Sequence, residues 1–183
     1  RRLFYFSLRE LFVNYFELFQ IPVALKIDTA ALAVRYRELQ KQYHPDNVAS
    51  QSDAIKLESM QKTVEINSAY NTLKNPLSCA EYLLVLQGID LRNEQHTVKD
   101  TAFLMEQLEW REELDDLQKQ PDEAAITRFQ GRVKKEFQRY YQSLEQQIAE
   151  CQYADAADTL RKLKFVRKMQ DELEKLEESL FDL

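Results

Sequence analysis

The sequence predicts an all-α protein in which an N-terminal helical hairpin is followed by a C-terminal bundle of three antiparallel helices. Only two glycines and four prolines occur in 183 residues, which leaves too few turns for a β-sandwich, a barrel or a doubly wound sheet. Apolar residues recur at helical spacing along most of the chain. Charged residues make up 31% of it, and no apolar run approaches the roughly 20 residues that cross a bilayer, so we expect no membrane-spanning segment.

The first two helices are marked by capping residues. Asn14 and Glu17 have capping-box spacing at the start of a short helix. Its apolar face is expected to comprise Tyr15, Phe16, Leu18 and Phe19. Asp28 is placed to cap a longer helix, whose apolar stripe consists of Leu32, Tyr36, Leu39 and Tyr43. The other faces of this second helix are basic, since they carry Arg35, Arg37 and Lys41.

Two further helical segments follow in the first half of the chain. The segment from Asp53 to Lys74 keeps helical spacing until Pro76 closes it. Its apolar positions are Leu57, Met60, Val64, Ile66, Ala69, Tyr70 and Leu73. An apolar run from Cys79 to Leu86 then ends close to Gly88, which suits the left-handed position after a helix. We therefore expect a second long helix and a short connector helix.

The tripeptide His44-Pro45-Asp46 lies between the two long helices. Pro45 fixes its own φ and disfavours the helical conformation at His44, so the helix ends there and both polar side chains stand on a rigid turn. A short leading helix, two long antiparallel helices and this turn resemble the J-domain of co-chaperones. The resemblance implies that a partner protein recognises and binds this turn.

The second half of the chain predicts the bundle. Asp100 or Thr101 opens the first helix and Pro121 the second, and the three helices are expected over about 100–117, 121–150 and 152–181. Two apolar stripes should face each other as core. They are Phe129, Val133, Phe137, Tyr140, Leu144 and Ile148 on the second helix, and Val166, Met169, Leu173, Leu176 and Leu180 on the third.

These patterns divide the chain into four parts. Residues 14–87 form the J-domain with its connector helix, 88–99 a polar linker, and 100–183 the bundle. Residues 1–13 read differently, since two arginines precede a run rich in aromatic residues and leucine. A targeting remnant, a cloning remnant and upstream sequence translated from a misplaced start are the alternatives. We favour the last, with Val13 as an alternative initiation site.

Charge blocks in the second domain favour helix pairing over nucleic-acid binding. Residues 128–139 hold five basic residues and one acid, residues 161–168 hold five basic residues, and residues 106–116 hold six acids. Antiparallel packing would place the acidic block beside the first basic block, so complementary pairing is the simpler explanation. The net charge of −6 is also wrong for a protein that binds phosphates without sequence preference.

Little in the sequence points to catalysis. His44 and Asp46 could be taken as an acid–base pair, but residues two apart across a proline do not readily form such a dyad. No nucleophile or glycine-rich phosphate loop accompanies them. Cys79 and Cys151 lie far apart with no second ligand at metal spacing, so we expect two buried thiols, a reducing compartment, and neither a disulfide nor a zinc site. The sequence thus predicts no catalytic residues, no metal and no cofactor.

The first bundle helix carries more apolar residues than bundle packing requires. The stripe that joins it to the bundle consists of Phe103, Gln107, Trp110, Leu114 and Leu117. Leu104, Met105 and Leu108 are surplus to it. They alternate with Glu109, Arg111 and Glu112, while Phe165 lies at the margin of the stripe on the third helix. Two readings stay open, namely a wide packing contact and an exposed, charge-rimmed patch that binds a protein.

From Asn14 to Leu183 the chain resembles the HscB family, the J-type co-chaperones of iron–sulfur cluster assembly. The matching segments are Tyr15-Phe16-Glu17-Leu18-Phe19, Gln42-Tyr43-His44-Pro45-Asp46, Ala80-Glu81-Tyr82-Leu83-Leu84, Glu94-Gln95-His96-Thr97-Val98 and the run from Asp100 to Glu109. The resemblance implies that the J-domain binds the DnaK-type ATPase HscA through His44, Pro45, Asp46, Arg35, Arg37 and Lys41. It implies that the bundle binds the scaffold protein IscU through Leu104, Met105, Leu108, Glu109, Arg111, Glu112 and Phe165.

Two positions depart from the family pattern. Asn47 stands where J-domains commonly have lysine, and Trp110 stands where a smaller aliphatic residue is expected, pointing either outward into the scaffold site or inward into the core.

The N-terminal cysteines of some eukaryotic relatives are missing, which favours a bacterial, cytoplasmic protein. Two widely separated cysteines also argue against direct ligation of a cluster. A general J-domain co-chaperone, or a coiled-coil adaptor for a different client, is the alternative function.

Overall fold

The computed structural model describes residues 14–91 and 100–181. The segment 1–13, with the proposed start at Val13, and residues 92–99 of the predicted linker lie outside this part. Within it, every regular element is helical. The contacts divide the chain between Leu83 and Leu84, inside a helix, whereas the sequence suggested a boundary near Gly88. No helix of the described residues is long and apolar enough to span a membrane.

The first unit contains the predicted hairpin. Helix α1 (Tyr15–Leu18) is followed by α2 (Thr29–Gln42), a short 3₁₀ turn (Pro45–Val48) and α3 (Asp53–Lys74). Both predicted caps are present. The side chain of Asn14 accepts a hydrogen bond from the amide of Phe16, and Asp28 accepts from the amides of Ala30 and Ala31. These bonds satisfy donors that a helix start otherwise leaves unpaired.

Aromatic rings and aliphatic side chains from α1, α2, α3 and the helix that follows them build the core of this unit. Tyr36 on α2 stacks on Tyr70 on α3 with ring centroids 4.0 Å apart. Tyr15 stacks on Tyr82 at 4.5 Å. The buried residues around them include Phe16, Phe19, Leu32, Leu39, Ile66, Ala69, Leu73, Cys79 and Ala80. Burial of each large side chain stabilises the fold by roughly 1.5 to 3 kcal/mol.

The apolar residues of α3 fall on two different faces. Ile66, Ala69 and Leu73 are buried. Leu57, Met60 and Val64 are instead exposed by 56%, 58% and 65%, although all were read as one helical pattern. The change of face occurs between Val64 and Ile66, because a step of two residues turns an α-helix by about 200°.

Helix α4 (Pro76–Leu86) begins at Pro76, three residues earlier than the predicted Cys79. It begins there because the side chain of Asn75 accepts hydrogen bonds from the amides of Leu77 and Ser78, and proline is well suited to the first helical position. Gly88 has a φ of +84°, and the amide of Ile89 donates to the carbonyl of Leu84 at 2.9 Å. This is the predicted left-handed helix end.

The second unit contains the three predicted bundle helices, α5 (Thr101–Lys119), α6 (Glu123–Ala149) and α7 (Tyr153–Phe181). Helix α6 begins after Asp122, whose side chain caps it, so Pro121 lies just outside. Trp110 packs edge-on against Phe129 at 6.0 Å and Phe103 against Tyr140 at 5.9 Å. Later residues of α5 therefore meet earlier residues of α6, and the two helices are antiparallel.

Ion pairs link the charge blocks of this unit as the sequence suggested. Arg132 on α6 pairs with Glu113 on α5, which joins the first basic block to the acidic one. Arg111 pairs with Glu172 on α7 at 2.7 Å. Most of the predicted core stripes are buried, namely Phe129, Val133, Tyr140, Leu144, Val166, Met169 and Leu173. The other four predicted positions, Phe137, Ile148, Leu176 and Leu180, are only half-buried.

The two cysteines have different environments, so the expectation of two buried thiols is wrong for one of them. Cys79 is buried in α4, and burial raises its pKa to about 12. Cys151 is exposed in the turn between α6 and α7, where its φ is +59°. Cys151 thus occupies the left-handed position that commonly follows a helix end.

Candidate functional site

The His-Pro-Asp turn presents its polar side chains to solvent. His44 is extended, with φ −64° and ψ 135°, as a residue before proline must be. Its Nδ1 accepts a hydrogen bond from the amide of Asp46 at 3.2 Å. A neutral imidazole in this geometry carries its proton on Nε2, which leaves that N–H free to act as a donor. The side chains of His44 and Asp46 are 56% and 89% exposed.

Side chains outside the tripeptide hold the turn in place. Asn47 donates from Nδ2 to the carbonyls of Lys41 and Gln42, at 2.7 and 3.3 Å. These are among the last carbonyls of α2, which have no partner within the helix. Sequence reasoning noted Asn47 only as a departure from lysine and missed this capping role. A polar residue directly after a helix-ending turn was the available signal.

The start of α3 anchors the same turn through the carbonyl of Tyr43. Ser59, which is buried, donates from Oγ to this carbonyl at 2.9 Å. The Oγ1 of Thr63 lies 3.1 Å from the same oxygen and 2.9 Å from the carbonyl of Ser59. These contacts also were not predicted. They fix the end of α2 against α3 just before the tripeptide.

A shallow groove of about 420 Å³ runs beside the turn. Its lining residues are Arg37, Gln40, Lys41, His44, Pro45 and Thr63. Four of the six residues predicted to bind the chaperone thus lie together, and Asp46 stands next to them in the turn. Arg35 lies apart, since its Nε donates to the carbonyl of Phe19 at 3.4 Å and its guanidinium pairs with Glu38.

The contacts of His44 give no support to an acid–base pair with Asp46. His44 Nδ1 lies 3.5 Å from a carboxylate oxygen of Asp46. The same nitrogen already accepts from the Asp46 amide, so a neutral ring has no proton at Nδ1 to share with the carboxylate. Within residues 14–91 and 100–181, no group of three or more His, Cys, Asp or Glu side chains is arranged to hold a metal ion.

The second candidate site is an apolar patch on α5, formed by Leu104, Met105 and Leu108. These side chains are 40%, 54% and 53% exposed, so a wide packing contact does not account for them. Glu109 and Glu112 are exposed alongside. Apolar residues clustered on one face and rimmed by charge are typical of a protein-binding surface.

Trp110 and Phe165 join this patch to the core beneath it. Trp110 is only 6% exposed, so it points inward and is core. Its ring stacks on Phe165 at 6.1 Å, and Phe103 meets Phe165 edge-on at 5.7 Å. The guanidinium of Arg111 lies over the Phe165 ring at 5.6 Å. Phe165 is therefore half-buried, and it differs from the three exposed side chains of the α5 patch.

A cleft of about 480 Å³ borders the patch at Met105 and Glu109. The Nζ of Lys162 donates to Asp100. This bond, together with one from the amide of Phe103, holds the pKa of Asp100 below its ordinary value. Partial burial, reinforced by the charge of Glu136, raises the pKa of Glu106. In this cleft the charged form of Asp100 is thus stabilised by Lys162, whereas the charged form of Glu106 is disfavoured by its surroundings.

Family models match both units of the chain. A DnaJ domain matches residues 14–82, and the model described as the HSCB C-terminal oligomerisation domain matches residues 99–174. The first match includes the turn and its groove, and the second includes the α5 patch and Phe165.

Solved structures agree with these matches. Chaperone HscB from Vibrio cholerae is 43% identical, with a TM-score of 0.82 over 92% of this chain and 99% of that one. Human co-chaperone protein HscB is 28% identical, with a TM-score of 0.79 over 88% of this chain and 81% of that one. Jac1 co-chaperone from Saccharomyces cerevisiae is 26% identical, with a TM-score of 0.70 over 89% of this chain and 96% of that one. The chain therefore belongs to the HscB family of J-domain co-chaperones.

Proposed function

We propose that this protein carries the scaffold protein IscU to the DnaK-type chaperone HscA and stimulates the ATPase of that chaperone, which aids transfer of iron–sulfur clusters to apo-proteins in the bacterial cytoplasm. It acts by binding and presentation and catalyses no reaction itself. The observation that carries the proposal is that two exposed surfaces of different chemistry lie on separate units. One is the turn with its basic groove, and the other is the α5 patch.

The turn and its groove support the chaperone contact. The groove combines the cationic side chains of Arg37 and Lys41 with the exposed His44. Such a surface attracts an acidic partner over a distance and then orients it through directional hydrogen bonds. The bonds made by Asn47, Ser59 and Thr63 support this role, because a pre-ordered turn loses little conformational freedom on binding.

The α5 patch supports the client contact. Burial of Leu104, Met105 and Leu108 against a partner is favourable by roughly 1.5 to 3 kcal/mol for each fully buried side chain, before the costs of association. Three such residues are enough to dominate a micromolar complex. Glu109, Arg111 and Glu112 form the rim, and Phe165 supports Arg111 from below.

The substitution His44→Gln tests the chaperone contact. We expect it to abolish stimulation of HscA while melting temperature and helicity stay near wild type, because the side chain is more than half exposed. Asp46→Asn should behave in the same way. Stimulation is measured as steady-state ATP hydrolysis by purified HscA over a range of co-chaperone concentrations. Full stimulation by His44→Gln would remove the J-domain function.

The basic residues offer a matched comparison in the same assay. Arg37→Ala and Lys41→Ala should weaken stimulation, and the deficit should shrink as salt rises, because exposed charge contributes mainly through screened, long-range attraction. Arg35→Ala should instead lower the melting temperature, since it removes the bond to the carbonyl of Phe19. Salt-independent deficits at Arg37 and Lys41 would contradict the electrostatic role of the groove.

The triple substitution Leu104→Ala, Met105→Ala and Leu108→Ala tests the client contact. It should abolish IscU binding measured by calorimetry while the bundle stays folded, because all three side chains are at least 40% exposed. Unfolding of the variant would mean that these residues are structural. A folded variant that binds IscU with wild-type affinity would place the client elsewhere and favour a general J-domain co-chaperone.

A further inference from the structure

The guanidinium of Arg111 is held by two groups on α7, one charged and one aromatic. Its Nη1 donates to a carboxylate oxygen of Glu172 at 2.7 Å, and its central carbon lies 5.6 Å from the centre of the Phe165 ring. Cation–π contacts extend to roughly 6 Å. Arg111 lies on α5 at the rim of the proposed client site, so residues of α7 determine where this rim side chain stands.

The carboxylate of Glu172 is itself held in place. Its side chain is 26% exposed, against 39% for Arg111, so the attraction between them is less screened than in a fully exposed pair. Lys168, one turn earlier on α7, lies 3.9 Å from the other carboxylate oxygen. The two oxygens thus have different cationic partners, which restricts rotation of the carboxylate and directs one oxygen toward Arg111.

Without Glu172, Arg111 would have a competing partner on its own helix. Asp115 follows it by four residues, a spacing at which an arginine and an aspartate can pair on one helix face. Such a pair would draw the guanidinium away from α7 and from Phe165. An arginine free to sample several rotamers also loses conformational entropy when a partner orders it. The bond to Glu172 selects one arrangement before a client binds.

We propose that Glu172 is a positioning residue of the client-binding site, which holds Arg111 against Phe165 in the conformation that the client contacts and does not touch the client itself. The inference rests on the proposed function, because it adds a residue to the client contact. An ordered guanidinium presents its remaining N–H groups in a fixed plane. The client is therefore expected to offer hydrogen-bond acceptors opposite Arg111, either carbonyl or carboxylate oxygens.

The test is a double-mutant cycle between Glu172→Ala and Arg111→Ala in the full chain, with IscU affinity measured by calorimetry. Glu172→Ala should weaken binding about fivefold, and Arg111→Ala at least as much. In the Arg111→Ala background, Glu172→Ala should change the affinity by less than about twofold, because its effect is transmitted through Arg111. Glu172→Gln can still accept one hydrogen bond from Arg111 and should be intermediate. It also replaces Glu172→Ala if that variant loses helicity.

The ion pair between Glu113 and Arg132 provides a matched control. It also joins α5 to another helix, and the guanidinium of Arg132 lies over the ring of Phe129 at 4.9 Å. Neither charged residue belongs to the α5 patch or its rim. Glu113→Ala should lower the melting temperature of the bundle as Glu172→Ala does, yet leave IscU affinity unchanged. A purely structural role of Glu172 would make the two variants alike in both measurements.

Each contrary result has a distinct meaning. Wild-type affinity of both Glu172 variants overturns the positioning role and leaves the proposed function standing. Equal losses with and without Arg111 would show that Glu172 acts on the client by another route, which also overturns the proposal. So would a loss of affinity in Glu113→Ala as large as that in Glu172→Ala. Absence of IscU binding by the wild type overturns the proposed function itself.

Discussion

Asn47 shows how one side chain substitutes for the commoner residue in its family. J-domains commonly have lysine after the tripeptide, and a lysine there would add a positive charge at the surface. In this chain the side-chain Nδ2 of Asn47 instead donates to the carbonyls of Lys41 and Gln42. It therefore contributes to the rigidity of the turn from within, and the positive charge beside the turn comes from Arg37 and Lys41.

Removal of this cap should cost stability in the first unit. Asn47→Ala is expected to destabilise it by about 1 kcal/mol, the usual net contribution of a hydrogen bond. Asn47→Asp should cost more, because a carboxylate cannot donate and is repelled by the negative end of the α2 dipole. Urea unfolding followed by far-UV circular dichroism measures both, with exposed Gln51→Ala as the control. Wild-type stability of Asn47→Asp would show that the cap contributes nothing.

At the scale of single residues, the sequence predicted the exposure of the turn but not the hydrogen bonds that distant residues make to it. The exposure of His44 follows from Pro45, which acts on its immediate neighbour. The bonds of Ser59 and Thr63 to the carbonyl of Tyr43 link residues 16 and 20 positions apart, and their existence depends on how α2 and α3 meet. No local pattern contains that information.

At the scale of elements, helix bounds were predicted well for α3 and α5, whereas α4 and α6 begin after capping residues, Asn75 and Asp122, that were not recognised in the sequence. Helix α3 runs from Asp53 to Lys74 as expected, and α5 begins at Thr101 after the Asp100 cap. The faces were predicted less well. Periodicity identifies an apolar stripe but does not show which stripe packs against the rest of the unit. The step of two residues between Val64 and Ile66 was the available sign that the apolar residues of α3 change face.

The ion pair between Asp100 and Lys162 ties the start of α5 to α7, and it should contribute a pH-dependent stability. Asp100→Asn keeps the cap, since asparagine caps as well as aspartate, but removes the pair. The folded pKa of Asp100 lies below its ordinary value of 3.8. The stabilising contribution is therefore present above that value and is lost as the pH falls through the lower, folded pKa.

Melting temperatures of the two proteins should therefore differ at neutral pH and converge only as the pH falls below 3.8 and through the folded pKa of Asp100. Scanning calorimetry from neutral to acidic pH measures the difference. Asp122→Asn is the matched control, because Asp122 caps α6 through the amides of Ala124 and Ala125. A difference between wild type and Asp100→Asn that does not vary with pH would show that the pair is not what stabilises this end of the bundle.

At the scale of the whole molecule, the two sites belong to units that the contacts separate between Leu83 and Leu84. The proposed function makes the chain a tether, which raises the local concentration of client at the chaperone. The α5 triple variant should therefore retain the stimulation produced by co-chaperone alone. It should lose the additional stimulation that appears when IscU is added.

His44→Gln provides the opposite pattern, since it should bind IscU normally and stimulate HscA in neither condition. The measurement is ATP hydrolysis by HscA with each variant, with and without saturating IscU. Persistence of the IscU-dependent increment in the α5 triple variant would show that IscU reaches the chaperone without this protein's bundle.

The inward position of Trp110 has a spectroscopic consequence. It is the only tryptophan in the chain, and it is buried in the second unit against Phe165 and Phe129. Tryptophan emission therefore reports the opening of the bundle alone, whereas dichroism senses both units. A comparison of the two unfolding curves gives separate stabilities without cutting the chain. Because Phe165 also supports the α5 patch, binding of a client there should shift the same emission. The intrinsic fluorescence of Trp110 should therefore report client binding without an added label.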